Sequence, residues 1–281
     1  MIAICPNPFR DIGLDITRRA CALLDAAGFQ TLVCPVFAED EPGIIPPDIK
    51  ACTLSEASGR CDLFIVIGGD GTILSVARAL HDCQAPILGV NLGTKGFMAS
   101  IEPEELPLIV KAARGEMSIS RRMKLDVTVT RNGEVVCADC ALNDVVIHGY
   151  GDCIRLTAFC DGDLITAFSG DGIILATPTG STGYSMSAGG PIVEPDAANI
   201  IITPVCAHAM GARTFVLDPS RQIMVKAEKL HKRRAFLAVD GNPVLDVAND
   251  DIIYIRRSET ATLMANMGVK SFYDIAYEKL T

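Results

Sequence analysis

Leu63-Phe64-Ile65-Val66-Ile67-Gly68-Gly69-Asp70-Gly71-Thr72 is the stretch on which the reading turns. Its apolar run is too short for a helix and has no polar alternation, so it reads as a strand buried on both faces. Three glycines then open onto a helical pattern over about 73–81. The same grammar extends to either side. Strands are expected at 2–5, 31–34 and 86–90, and Ile16, Ala20, Leu23, Leu24 and Ala27 recur at helical spacing before Gly28 stops the helix. The stretch 39–47, acidic and proline-bearing, reads as a loop. Buried strands separated by helices predict an α/β domain over 1–117, a parallel sheet with helices on both faces.

Beyond Arg121 the texture changes. Leu125, Val127 and Val129 alternate with polar residues, and Arg131-Asn132-Gly133-Glu134 is a hairpin signal. Strands continue at 135–136, 145–147, 156–159, 200–203, 223–227, 235–239 and 252–255, with Asp161-Gly162-Asp163 as another turn. This predicts a β-rich domain over 118–260. The remaining segment, 261–281, carries an amphipathic stretch and is expected to pack back on the first domain.

Composition narrows the function. In 281 residues, 49% are hydrophobic and 21% charged, which is a globular balance. Lys and Arg number 25 against 34 Asp and Glu, a net charge of −9, which argues against a general nucleic-acid or membrane-surface binder. No apolar run approaches the roughly 18 to 20 residues of a membrane helix. The opening residues lack the basic and apolar regions of a secretory signal. Eleven scattered cysteines read as reduced thiols of a cytoplasmic protein. Cys137-Ala138-Asp139-Cys140 lies in a strand pattern with no second pair, so a zinc site is not expected there.

Four clusters carry chemistry. The first is the glycine turn, at the carboxyl edge of a parallel sheet, where open α/β sheets hold ligands. Its glycines let backbone approach a phosphate, and Thr72 can cap the helix whose N-terminal amides favour anions. Asp70 beside a phosphate is repulsive unless it handles a proton or a divalent metal, the two tasks of a phosphoryl-transfer site. The alternative is a tight turn with Asp70 as a local cap. No GKS or GKT follows, so it is not a Walker A loop. The second cluster runs from Gly170-Asp171-Gly172 to Gly183-Tyr184-Ser185-Met186-Ser187. It places six Ser and Thr hydroxyls in the eleven positions 177–187 and adds an aromatic surface at Tyr184. The third is Asn143-Asp144: an amide able to bond both edges of a base, and a carboxylate able to accept from ribose hydroxyls, or else merely a polar pair at a strand start. The fourth, Val239-Asp240-Gly241-Asn242, is a turn that could belong to the site or equally be only a turn.

With these pieces in this order, the sequence resembles the NAD kinase family. Further matching blocks are Asn91-Leu92-Gly93-Thr94-Lys95-Gly96-Phe97 and Pro204-Val205-Cys206-Ala207-His208, and the block from Asp171 to Pro191 is the most specific. The glycine turn alone is shared with diacylglycerol-kinase-like and phosphofructokinase-like enzymes. The resemblance implies an α/β domain followed by a β-sandwich-like domain. It also implies transfer of the ATP γ-phosphoryl group to the 2′-hydroxyl of the adenosine ribose of NAD, giving NADP. By the same resemblance Asp70 is the catalytic carboxylate and Gly71 lines the phosphates. Phe97 contacts the adenine region, while Asn143, Asp144 and Asp171 bind the adenosine. Thr182, Gly183, Tyr184, Ser185, Met186 and Ser187 shape the dinucleotide pocket, and Asn242 adds a contact.

The departures are few. Asp144 stands where most relatives carry Glu, Lys95 replaces an apolar residue, and Gly183 replaces Ala. Ser75 stands where many have a basic residue, so a phosphate contact is either missing or supplied by Arg78. Two anionic substrates and an acidic chain call for a divalent cation, magnesium by default, carried by the nucleotide rather than by a fixed protein cage. The family implies a homodimer or homotetramer. The competing readings are another small-alcohol or lipid kinase of the glycine-turn superfamily, and a non-catalytic NAD-binding module.

Overall fold

The structure is a computed structural model that describes residues 1–40, 43–93, 96–209 and 211–280. Part of the 39–47 loop, and Thr94 and Lys95 of the second family block, therefore lie outside the described residues. The chain divides into two compact units, Met1–Arg121 with Thr262–Thr281, and Arg122–Ala261. The division expected near Ser118 falls after Arg121, because the strand that begins at Ser118 runs through it.

The first unit contains β1 (Ile2–Pro6), α1 (Asp15–Ala26), β2 (Thr31–Val33), α2 (Leu54–Ala57), β3 (Leu63–Gly68), α3 (Asp70–Ala79), β4 (Ile87–Asn91) and α4 (Leu108–Ala113). Its strands are parallel in the order β2-β1-β3-β4, and Met264 adds a parallel bridge to Ile87. Both faces are covered. Ile4, Ile65 and Leu88 pack on Ala20 and Leu24 of α1 and Ile109 and Ala112 of α4. The opposite face meets α3 so closely that a Cβ on Gly89 would lie 2.7 Å from Ile73 Cδ1. Two-sided burial is why these strands read as unbroken apolar runs. The order also reverses between β1 and β3, and the crevice at such a reversal is where ligands bind.

The second unit is antiparallel. Its elements are β5 (Ser118–Arg131), β6 (Glu134–Ala141), β7 (Asp144–Gly149), β8 (Ile154–Cys160), β9 (Asp163–Gly170), β10 (Gly172–Ala176), α5 (Tyr184–Ser187), β11 (Ile200–Val205), β12 (Phe215–Leu217), β13 (Ile223–Glu228), β14 (Ala235–Val239), β15 (Asn242–Val247) and β16 (Asp251–Asn266). One sheet runs β12-β11-β10-β7-β14-β15, and β16, β13, β8 and β9 pair antiparallel in a second. Val127, Ile147, Leu156, Ile173, Ile202, Val225 and Ile253 from both sheets share one core, the packing of a sandwich. Asn132-Gly133 and Asp240-Gly241 both adopt positive φ at their two-residue hairpins, the geometry that suits twisted strands. β9 and β15 end their sheets with mixed rather than alternating burial, and α4 has only six residues, so none of them shows a usable period in the sequence.

Cys137 and Cys140 both lie on β6 at a spacing of three, which turns them to opposite faces. No group of three or more candidate metal ligands occurs among the described residues. No helix among them is long and apolar enough to cross a membrane. The last helix, α6 (Phe272–Leu280), belongs to the first unit.

Candidate functional site

Asp70 is where the structure first departs from expectation. α3 begins at Asp70 rather than near Ile73, with Gly69 as N-cap and no side-chain cap. Thr72 is therefore not the cap. Its hydroxyl accepts a hydrogen bond from Asn7 Nδ2 at 3.1 Å, tying the turn to the end of β1. The Asp70 carboxylate accepts from the Phe97 amide at 2.8 Å and from the Met98 amide at 3.2 Å, one on each oxygen. These bonds fix its orientation, and each oxygen keeps a further lone pair. A Cβ on Gly96 would stand 2.2 Å from Asp70 Oδ1, so only glycine lets that loop close on the carboxylate.

Beside Asp70 lies a cavity of about 290 Å³. Gly69 and Gly71 line it, and a Cβ on either would meet no protein atom within 4 Å. Neither glycine needs a left-handed backbone. Packing and conformation therefore leave these two glycines unexplained, whereas a ligand drawn against backbone amides at a helix N-terminus explains both. Asn7 and Arg10 complete the cavity from the loop after β1, and Lys279 from α6. The sequence reading missed all three. The available signal was topological, since the loops after β1 and β3 flank the reversal in strand order. Arg78, considered as a phosphate contact, stands in the last turn of α3, the far end from Asp70. Ser75 Oγ donates back to the Gly71 carbonyl at 3.0 Å. The Phe97 ring, assigned to the adenine region, has the Phe272 ring 6.3 Å from its centroid and the Lys279 ammonium 4.0 Å above it.

The second unit gathers another set. The Asp240 carboxylate accepts from the backbone amides of Leu142 at 2.9 Å, Asn143 at 2.7 Å and Asp144 at 3.1 Å. This turn thus holds the start of β7 in place. Asp144 is buried, and desolvation, followed by the nearby Asp240 charge, raises its pKa to about 7. Asn143 Oδ1 and Thr179 Oγ1 are buried without a hydrogen-bond partner. Such atoms cost about 1–3 kcal/mol each unless something supplies a partner, which points to a polar ligand. A Cβ on Gly180 would fall 2.1 Å from the Asn143 carbonyl oxygen, so the loop lies directly on Asn143. Burial raises the pKa of Tyr184, with the charges of Cys206, Asp171 and Asp144 adding to it, so these side chains share one neighbourhood. The Cys206 thiol is pushed up by its hydrogen bond to Asp171.

The hydroxyl run behaves differently from expectation. Ser185 is fully buried, and its hydroxyl pairs with Thr203 Oγ1 at 2.9 Å. Thr177 Oγ1 donates to the Leu142 carbonyl, Ser181 Oγ to Pro178, Thr182 Oγ1 to Thr179 and Ser187 Oγ to Gly183. Most of these hydroxyls shape the loop rather than present themselves to a ligand. Tyr184 remains exposed, whereas Asn242 turns its amide back onto the Asp240 and Val239 carbonyls.

Comparison with known proteins gives a consistent result. Residues 4–113 match the model of the ATP-NAD kinase N-terminal domain, and residues 142–267 match that of the ATP-NAD kinase C-terminal domain. An NAD kinase of Caldanaerobacter subterraneus subsp. tengcongensis is 35% identical over 100% of this chain and 98% of its own. One from Ruminiclostridium cellulolyticum is 32% identical over 99% and 97%. Among solved structures, the yeast NADH kinase complexed with NADH superposes with a TM-score of 0.84 at 27% identity, covering 97% of this chain and 84% of that one. An NAD kinase from Archaeoglobus fulgidus in complex with ATP gives 0.72 at 26%, covering 94% and 93%.

Proposed function

The chain belongs to the ATP-NAD kinase family, and from that footing we propose that Asp70 is its catalytic base and that the glycine turn holds the nucleotide phosphates. The protein is an ATP-dependent NAD kinase, which moves the γ-phosphoryl group of ATP to the 2′-hydroxyl of the adenosine ribose of NAD. The observation that carries the site reading is the pairing of an oriented carboxylate with two side-chain-free glycines in one cavity. In the reaction a bond forms between ribose O2′ and the γ-phosphorus, and the bond from that phosphorus to its bridging oxygen breaks. Asp70 takes the 2′-hydroxyl proton. Asn143 and Asp144 bind the adenosine, Asp144 by accepting from the ribose, with Asp171 and Tyr184 beside them. The other readings, a lipid or small-alcohol kinase and a non-catalytic module, are not favoured by full-length likeness to NAD kinases.

A divalent cation fits these residues only as a partner of the nucleotide. Asp70 is the one carboxylate among the described residues lining the cavity, and Mg²⁺ characteristically takes one or two carboxylates plus phosphate oxygens. When bound, it would screen the γ-phosphate charge. We place the enzyme in the cytoplasm, in keeping with its eleven free thiols, and as a homodimer or homotetramer, to be read by light scattering. The reading as a whole is tested by incubating the protein with ATP, Mg²⁺ and NAD. NADP should form and chelation should stop it; absence of NADP at any magnesium concentration refutes the reading.

A pH dependence follows from Asp144. Its pKa of about 7 means that ionisation, which creates the acceptor for the ribose hydroxyls, proceeds as pH rises through neutrality. The fraction ionised climbs about tenfold between pH 6 and 8. The KM for NAD should fall by a similar factor over that range while the KM for ATP stays nearly flat. Asp144→Asn should flatten the NAD profile, and parallel pH profiles for the two substrates would contradict the ribose assignment.

A further inference from the structure

We propose that Lys279 of α6 is a phosphate-positioning residue, reaching the ATP phosphates held beside Asp70; the inference rests on the phosphoryl-transfer reading above. Lys279 is one of the residues lining the Asp70 cavity. Its ammonium lies 4.0 Å over the Phe97 ring, and the backbone amide of that same residue grips the Asp70 carboxylate. The aromatic face holds the cation at the cavity rather than in bulk water.

The helix that carries it is firmly placed. Ser271 and Asp274 cap α6 reciprocally, with the Ser271 amide donating to Asp274 Oδ2 at 2.9 Å and the Asp274 amide to Ser271 Oγ at 3.1 Å. The Met267 amide donates to Ser100 Oγ at 2.9 Å, so the lead-in to α6 is tied to the loop that follows Phe97 and Met98. Phe272 then packs on Phe97.

Electrostatics gives the cation a task. Burial lowers the Lys279 pKa while the Asp70 charge opposes that shift, so the ammonium is partly desolvated within reach of the carboxylate. The chain is acidic overall, and among the described lining residues the cavity offers two cations, Arg10 and Lys279, against one carboxylate. A triphosphate entering there needs positive charge. Beyond its N-terminal amides α3 brings no cationic side chain to the cavity, because Ser75 faces back to Gly71 and Arg78 stands at the distant end. The flexible stem of lysine lets its point charge follow a phosphate as the transfer proceeds.

The test is steady-state kinetics on Lys279→Met and Lys279→Arg, with NAD affinity and melting temperature measured alongside. Lys279→Met should lower kcat/KM for ATP by roughly 10- to 100-fold, the scale of one charge-assisted bond, with the dissociation constant for NAD changed by less than about twofold. Lys279→Arg should recover most of the loss. A Met variant within about twofold of wild type for ATP would overturn the inference. So would equal damage to NAD binding, or an Arg variant as poor as Met, each the mark of a structural role. If the unmodified enzyme makes no NADP, it is the phosphoryl-transfer reading that fails instead.

Discussion

Asp70→Asn is expected to lower kcat by about 10³-fold, within the range for removal of a positioned general base, and to leave NAD affinity within a few-fold. The amide is nearly isosteric but takes up no proton from the 2′-hydroxyl, so the loss belongs to the chemical step. The structure adds a second consequence. The carboxylate serves two amides, Phe97 and Met98, one on each oxygen. An amide side chain offers one oxygen to that pair and turns its NH2 toward the other donor. The unmet bond costs about 1–3 kcal/mol, so the melting temperature should drop by a few degrees. A modest thermal shift together with a collapse of kcat is the expected signature. A variant that keeps a tenth or more of wild-type kcat would show that Asp70 is a turn residue after all.

Gly71→Ala should separate folding from function in the opposite direction. Gly71 lies inside α3 with ordinary backbone angles, and a Cβ there meets nothing. Alanine in place of glycine at a compatible helical position stabilises by about 0.4–1 kcal/mol. The melting temperature should therefore hold or rise slightly. The added methyl group enters the cavity that a phosphate must approach through backbone amides, and overpacking of that kind costs roughly 1–3 kcal/mol. The KM for ATP should rise by roughly 10- to 100-fold. An unchanged KM in a folded variant would place the phosphates elsewhere. Gly96→Ala is a useful contrast, because its methyl would strike Asp70 Oδ1 at 2.2 Å and should damage kcat rather than ATP binding.

The fold class and the location of the glycine turn were legible because both rest on local patterning. Five apolar residues before Gly68 require a two-sided strand, and Asn132-Gly133 requires a tight hairpin, wherever they occur. The start of α3 was misplaced by three residues because glycine and aspartate mark both turns and first helical turns, and the pattern alone does not distinguish them. Counting hydroxyls over 177–187 did not reveal that most of them bond within the protein. The sequence gives no sign that Ser185 faces Thr203 instead of a ligand, since that contact depends on β11 lying alongside.

What the sequence settled by itself is the periodicity of its strands and helices, the glycine turn that ends β3, and the family to which those motifs point. Tertiary structure alone decided what surrounds the chemistry. Asp70 is oriented by amides 27 and 28 residues away, Asn143 and Asp144 are held by a carboxylate 97 and 96 residues away, and Lys279 of α6 lines the cavity beside the glycine turn. The reason is physical. Backbone periodicity is written in neighbours a few positions apart, whereas a hydrogen bond or a charge acts over a few ångströms regardless of how much chain separates its partners.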